Sequence, residues 1–232
     1  MSAFVDDDAN AQYNLGLKFA KGEGVPQDFA VAMSWYRKAA DQGNASAQNS
    51  LGVMYAKGQG VPRDNAAAVS WCGKAAAQGH ANAQFNLGFM YCNGQGVPRD
   101  YAAAVSWYRK AADQGDARAQ FNLGAMYAKG QGVLRDSAVA ILWFRKAADL
   151  GDANGQFNLG VMYYNGLGVP QSHVLAHMWF NLAAARFDAS GKENRNKAVK
   201  NCDLVATKMT PAQLAEAQKL AREWKPKPEP ER

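Results

Sequence analysis

The 232-residue chain has a formal net charge of +6, is 48% hydrophobic and contains three cysteines. Cys72, Cys92 and Cys202 are an odd count with no Cys-x-x-Cys spacing, which argues against a zinc site or a disulfide framework. Apolar runs such as Ala138 to Phe144 are far shorter than the roughly 18–20 residues that span a bilayer, and the acidic start lacks a signal peptide's basic and apolar regions. As written the chain is expected to be soluble and cytoplasmic, or periplasmic or secreted if an upstream signal has been removed.

Residues 1–8 form an N-terminal segment that supplies no helix. From residue 9 a pattern recurs every 36 residues: Trp35, Trp71, Trp107, Trp143 and Trp179 share one slot, and Gly16, Gly52, Gly88, Gly124 and Gly160 another. Five units in constant register define a repeat array over 9–187, in which each unit buries its apolar face against its neighbours. The third unit shows the plan. Ala83, Leu87, Met90 and Tyr91 recur at helical spacing and predict a first helix from about Ala81 to Cys92. Asn93-Gly94-Gln95-Gly96-Val97-Pro98 ends it. Asp100 then caps a second helix, with Asp28, Asp64, Asp136 and Ser172 in the same slot. Ala104, Trp107 and Ala111 lie along one stripe of that helix. Gly115 closes it, as do Gly43, Gly79 and Gly151, where glycine suits a left-handed residue.

A glycine inside each first helix costs about 1 kcal/mol relative to alanine. Five such glycines predict close approach of two helices, with second-helix alanines facing the missing side chain and Trp107 covering the seam between units. After the fifth unit, 188–224 read as capping helices. Ala198, Cys202, Val205 and Met209 keep helical spacing, and Thr210-Pro211-Ala212-Gln213 is a capped helix start. Residues 225–232, rich in proline and charge, read as a disordered tail.

The motifs Gln-aromatic-Asn-Leu-Gly-x-Met-Tyr, Gly-x-Gly-Val-Pro-x-Asp and Trp-x-Arg-Lys-Ala-Ala closely resemble the Sel-1-like repeat family, relatives of the tetratricopeptide repeats. The resemblance covers about residues 8–187. It implies an all-α, right-handed α-solenoid of antiparallel helix pairs with a C-terminal helical cap, acting as a scaffold or adaptor of bacterial type. Departures are Leu134 for the turn proline, Asn49-Ser50 for the aromatic-Asn pair, Gly73 for an arginine and Phe187 for the closing glycine. Ala40 and Gln48 stand where the cysteine-rich branch of the family would place its cysteines. The β-lactam-related activity of that branch is therefore not supported.

No catalytic constellation emerges. Ser34, Ser70 and Ser106 have no lysine three residues on, and the Gly-x-Gly turns lack the Lys-Ser/Thr of a P-loop. His173 and His177, four apart on one helix, share a face but have no third ligand by spacing, so neither a metal nor a cofactor is expected. The basic pairs, among them Arg37-Lys38 and Arg109-Lys110, suit helix C-termini and read as a solvated face rather than a nucleic-acid stripe. Asn14, Asn86, Asn122 and Asn158, with Ser50 completing the row, are the candidate binding residues. Asparagine is a poor mid-helix residue. By the resemblance, this row faces the concave groove, where an amide bonds the backbone or a carboxylate of a bound peptide. The alternative is that the amides bridge backbone between units. The expected function is therefore a non-enzymatic scaffold for a protein or peptide partner. A hydrolase resembling the cysteine-rich branch and a charge-driven nucleic-acid binder are the rivals.

Overall fold

In the computed structural model, residues 8–228 are described. Most of the N-terminal segment (1–7) and the end of the tail (229–232) lie outside the described residues. Among those described there are twelve α-helices and no strand. Ten form the five pairs: α1 (Ala9–Lys21) with α2 (Phe29–Asp41), α3 (Ala45–Lys57) with α4 (Asn65–Ala77), α5 (Ala81–Asn93) with α6 (Tyr101–Asp113), α7 (Ala117–Lys129) with α8 (Ser137–Asp149), and α9 (Ala153–Asn165) with α10 (His173–Arg186). A short 3-10 turn, Ala189–Gly191, leads to α11 (Lys192–Ala206) and α12 (Pro211–Glu223). The chain is an all-α array of helix pairs that ends in two capping helices.

Capping sets the helix starts. Asp28, Asp64, Asp136 and Ser172 accept from the backbone N–H three residues on, as the sequence predicts. The first helices have caps of their own, Asp8, Asn44, His80, Asp116 and Asp152. That row also recurs every 36 residues. At the other end of the first helices, Gly22, Gly58, Gly94, Gly130 and Gly166 take φ between 67° and 74° and donate back to the last turn. The second glycine of the turn has a different task. A Cβ on Gly60 would lie 2.6 Å from the carbonyl of Phe29, the first residue of the preceding repeat's second helix. The turn of one repeat therefore abuts the helix start of the repeat before it.

The mid-helix glycines make room for a ring. A Cβ on Gly88 would meet Tyr108 Cδ1 at 2.8 Å, and one on Gly160 would meet Phe180 Cδ1 at 2.6 Å. Tyr36 and Phe144 lie over Gly16 and Gly124 in the same way. The expectation that alanines of the second helix face the glycine is thus corrected. An aromatic side chain covers it, with an alanine carbonyl behind (Ala32 O and Ala140 O, each 3.2 Å). A second ring, from the first helix, packs on the first ring: Tyr13 on Tyr36, Phe85 on Tyr108, Phe121 on Phe144 and Phe157 on Phe180, with centroids 5.5–5.8 Å apart. Such pairs add about 0.5–1.5 kcal/mol beyond the area they bury.

The chain divides into two units, Met1–Ala111 and Ala112–Arg232. The core of the first is built from small residues around Tyr36, Leu51, Met54, Leu87 and Met90. In the second it is larger and more aromatic, with Phe144, Leu159, Met162, Trp179, Phe180 and Val205 in one cluster. There α11 and α12 both pack on α10. Thr210 and Gln213 form the expected capping box at the start of α12. Trp224 meets Trp179 edge-on at 6.1 Å, and the Arg186 guanidinium lies 4.3 Å over the Trp224 ring. Beyond α12, the Lys227 backbone N–H donates to the Asp149 carbonyl and its Nζ to the Asp149 carboxylate, both at 2.7 Å.

The tryptophan row is not uniform. Trp107 touches the Ala75, Ala76, Ala83 and Leu87 cluster at the α4–α5 seam, as the repeat pattern predicts, but it is only half-buried, whereas Trp179 is 3% exposed. Trp179→Ala should therefore cost about 3–5 kcal/mol, the range for deleting a buried aromatic. Trp107→Ala should cost clearly less. Urea unfolding of the two variants checks the order, and equal losses would contradict it.

Candidate functional site

The asparagine row occupies one register position on the first helices. Asn14 on α1 is exposed, while Asn86 on α5, Asn122 on α7 and Asn158 on α9 are half-buried. Their bonding differs. Asn86 Nδ2 donates to Asn49 Oδ1 on α3 at 2.9 Å, a link between neighbouring repeats. Asn158 Nδ2 donates to the carbonyl of Asn154, four residues back on its own helix, at 2.9 Å. Ser50 shares a hydrogen bond with the Tyr36 hydroxyl, and burial pushes that phenol up to about 12.

Most bridging between repeats falls to residues that the sequence reading passed over. Gln12, Gln48, Gln84, Gln120 and Gln156 are all buried, at 5% exposure or less. Gln48 Nε2 donates to Ala40 O at 3.1 Å, Gln84 to Ala76 O at 3.2 Å, Gln120 to Ala112 O at 3.1 Å and Gln156 to Ala148 O at 3.3 Å. Each acceptor lies in the last turn of the preceding second helix and also accepts from the backbone N–H of the glycine three residues on, Gly43, Gly79, Gly115 or Gly151. The amide oxygen is used as well: Gln42 Nε2 donates to Gln12 Oε1 at 2.9 Å, and Gln78 Nε2 to Gln48 Oε1 at 2.8 Å. In the fourth repeat Leu150 stands where Gln42 and Gln78 stand, and Gln120 Oε1 is left buried without a partner. In the fifth, Arg186 takes the position and Gln156 Oε1 is likewise unpartnered. The 36-residue spacing of these glutamines was the available signal.

The second repeat is the irregular one. Both members of its ring pair are missing, with Asn49 and Cys72 in their places. Cys72 Sγ sits against Gly52 instead of a ring. Burial pushes its thiol up to about 12, so it is packed and unreactive. Beside Asn49 and Ser50 a crevice of about 170 Å³ opens between α3 and the α1–α2 pair. None of the three cysteines is in a disulfide.

The two histidines of α10 do different things. His173 is half-buried with its ring 5.9 Å from that of Tyr164. His177 is buried at the slot that Met33, Val69, Val105 and Ile141 occupy in the other repeats, and its Nδ1 has no partner. Among the described residues no group of three or more His, Cys, Asp or Glu is placed to hold a metal ion, and no helix is long and apolar enough to cross a membrane. The basic helix ends have local partners. Lys38, Lys74, Lys110 and Lys146 each lie 4.0–4.3 Å over the tryptophan three residues earlier. Arg37 and Arg145 bond the hydroxyls of Tyr55 and Tyr163.

Antiparallel helix pairs repeated every 36 residues, with ring-covered glycines and a glycine turn seated on the preceding repeat, define a tandem helical-repeat protein. The Sel1 repeat family matches residues 9–44, 45–80, 81–116, 117–152 and 153–186, and the chain belongs to it. A crystal structure of a protective antigen of uropathogenic Escherichia coli with an SLR fold is similar at 40% identity and a TM-score of 0.77. The match covers 93% of this chain and 46% of that one, so the chain spans about half that protein's length. A Sel1 repeat protein from Oxalobacter formigenes is similar at 31% identity and a TM-score of 0.80, over 96% of this chain and 90% of that one. A Klebsiella pneumoniae Sel1 repeat protein, 23% identical over 88% of this chain and 97% of that one, shares the fold at a TM-score of 0.54. No curated protein matches the chain by sequence. The Sel1 repeat fold is commonly a protein-interaction scaffold, and its family is generally non-enzymatic.

Two measurements follow from the buried polar groups. Leu150→Gln should return a donor to Gln120 Oε1 and raise stability by about 1 kcal/mol. The gain should vanish when Gln120 is alanine, as a double-mutant cycle would show. For His177, burial holds the imidazole below its ordinary value, with Asp203 pulling weakly the other way. The unfolded chain therefore takes up the proton first, and this contribution lowers stability as pH falls below about 6.5. His177→Ile, the residue of the fourth repeat, should flatten the stability profile between pH 7 and 5.5. An unchanged slope would contradict a buried neutral imidazole.

Proposed function

We propose that the protein is an adaptor that holds extended peptide segments of a partner protein against its first helices, through Asn14 and Asn86 in the first unit and, as a separate contact, through Asn122 and Asn158 in the second. One observation carries this reading. The seams already have their own amide bridges, the buried glutamines, and a second row of amides is half-buried to exposed beside them. Asparagine costs each helix a few tenths of a kcal/mol to about 0.7 kcal/mol relative to alanine. Four of five repeats retain it at one position. An amide presents donors and an acceptor together, which matches the paired N–H and C=O of a peptide backbone.

The test is selection of a displayed random-peptide library on the full chain, followed by affinity measurement on variants. Replacing Asn86, Asn122 and Asn158 together by alanine should abolish binding of the selected peptides and leave the melting temperature unchanged or raised. If each single variant instead melts several degrees lower and still binds, the amides are structural and the reading fails.

A further inference from the structure

Resting on the peptide-binding reading above, we propose that the crevice between α3 and the α1–α2 pair is a socket for one aromatic side chain of the bound peptide. In the first, third, fourth and fifth repeats the first helix contributes a ring of its own: Tyr13, Phe85, Phe121 and Phe157, each packed on a ring of the second helix. The second repeat has neither ring. Asn49 replaces one and Cys72 the other. Beside Asn49 lies the crevice of about 170 Å³. A second crevice, about 210 Å³, lies between the fifth repeat and α11, whose wall carries Asn201, Leu204 and Val205 and again no ring. In both places, space opens where the incoming helix brings no aromatic.

The lining suits an aromatic occupant. Ala20, Phe29, Val53 and Met54 give apolar walls, and Asn49 and Ser50 give a polar edge. A cavity of about 150 Å³ is enough to bind benzene, so one phenyl or phenol ring fits the volume. The location suits a peptide. Asn49 Oδ1 is bonded to Asn86 Nδ2, and Ser50 completes the asparagine row, so a side chain entering the socket brings its own backbone to those amides. The Tyr36 ring of the preceding repeat also lines the socket and offers the occupant an aromatic neighbour.

The experiment is an NMR titration of the ¹⁵N-labelled full chain with N-acetyl-phenylalanine amide, with N-acetyl-alanine amide as control. Expected are saturable shifts at Ser50, Val53, Met54 and Gln59, at least tenfold weaker for the alanine compound. Asn49→Phe, which restores the ring of the other repeats, should remove them while the fold persists. Val53→Phe, the residue of the third repeat at that position (Phe89), should remove them too and serves if Asn49→Phe does not fold. Shifts that survive both fillings, lie elsewhere, or are equal for the two compounds overturn the socket. The library-selected peptides separate this proposal from the reading beneath it. Peptides lost on the triple asparagine change but indifferent to Asn49→Phe and Val53→Phe overturn the socket alone. Peptides indifferent to the triple change overturn the asparagine row, while the amino-acid amide still reports on the socket.

Discussion

The contact on which the rest of this fold depends is an aromatic ring laid over a glycine. Within a repeat, Tyr108 on Gly88 or Phe180 on Gly160 fixes how closely the two helices approach, because a single methyl group at the glycine would overlap the ring. The loss in helix propensity is about 1 kcal/mol per glycine. Burial of the ring returns more than that, since a fully buried aromatic contributes about 1.5–3 kcal/mol by area alone. Tyr108 is 1% exposed and Phe180 2%. With the helix spacing set, Gly60, Gly96 and Gly168, the second glycines of their turns, seat on the helix start of the preceding repeat and register those repeats against each other.

The glutamine row completes the seam. The amides of Gln48, Gln84, Gln120 and Gln156 each add a second donor to a carbonyl in the last turn of the preceding helix, beside the glycine N–H that already bonds it, so the junction is tied by a buried hydrogen bond. This division of labour bears on function. Because the glutamines serve the seam, the asparagines two residues further along are not required there by every repeat. Asn158 bonds within its own helix, Asn14 is exposed, and Asn86 meets another side-chain amide rather than backbone. A surface that keeps amides with modest structural duties suits a scaffold whose ligand presents peptide groups.

Much of this was legible in the sequence, and the gaps have physical causes. The period, the helix pairs, the second-helix caps and the Thr210 capping box all rest on local rules of spacing and hydrogen bonding, which a single sequence displays. What covers the glycine was not legible, because a ring 20 residues away and an alanine 16 away both lie on the second helix, and only packing distinguishes them. The tryptophans share one slot but differ in burial: Trp179 is covered on its outer side by α12 through Trp224, and Trp107 is not. The glutamines were missed because glutamine usually signals a solvated face. Their 36-residue recurrence was in plain view but carries no information about burial. The second repeat's departures, Asn49, Cys72 and Gly73, read as unrelated substitutions until the structure shows that two of them are halves of one missing ring pair.

Two helical glycines provide the most direct test. Gly88 lies under Tyr108, whereas Gly73, in the middle of α4, has nothing within 4 Å of where a Cβ would be. If helix spacing is set by the ring over the glycine, the same substitution must have opposite effects at the two sites. Gly73→Ala should raise the free energy of unfolding by about 1 kcal/mol, the difference in propensity. Gly88→Ala should lower it by about 1–3 kcal/mol, the cost of overpacking a filled core. Urea denaturation of both variants beside the parent decides the matter. Equal stabilisation at the two positions would show that the ring contact does not set the spacing.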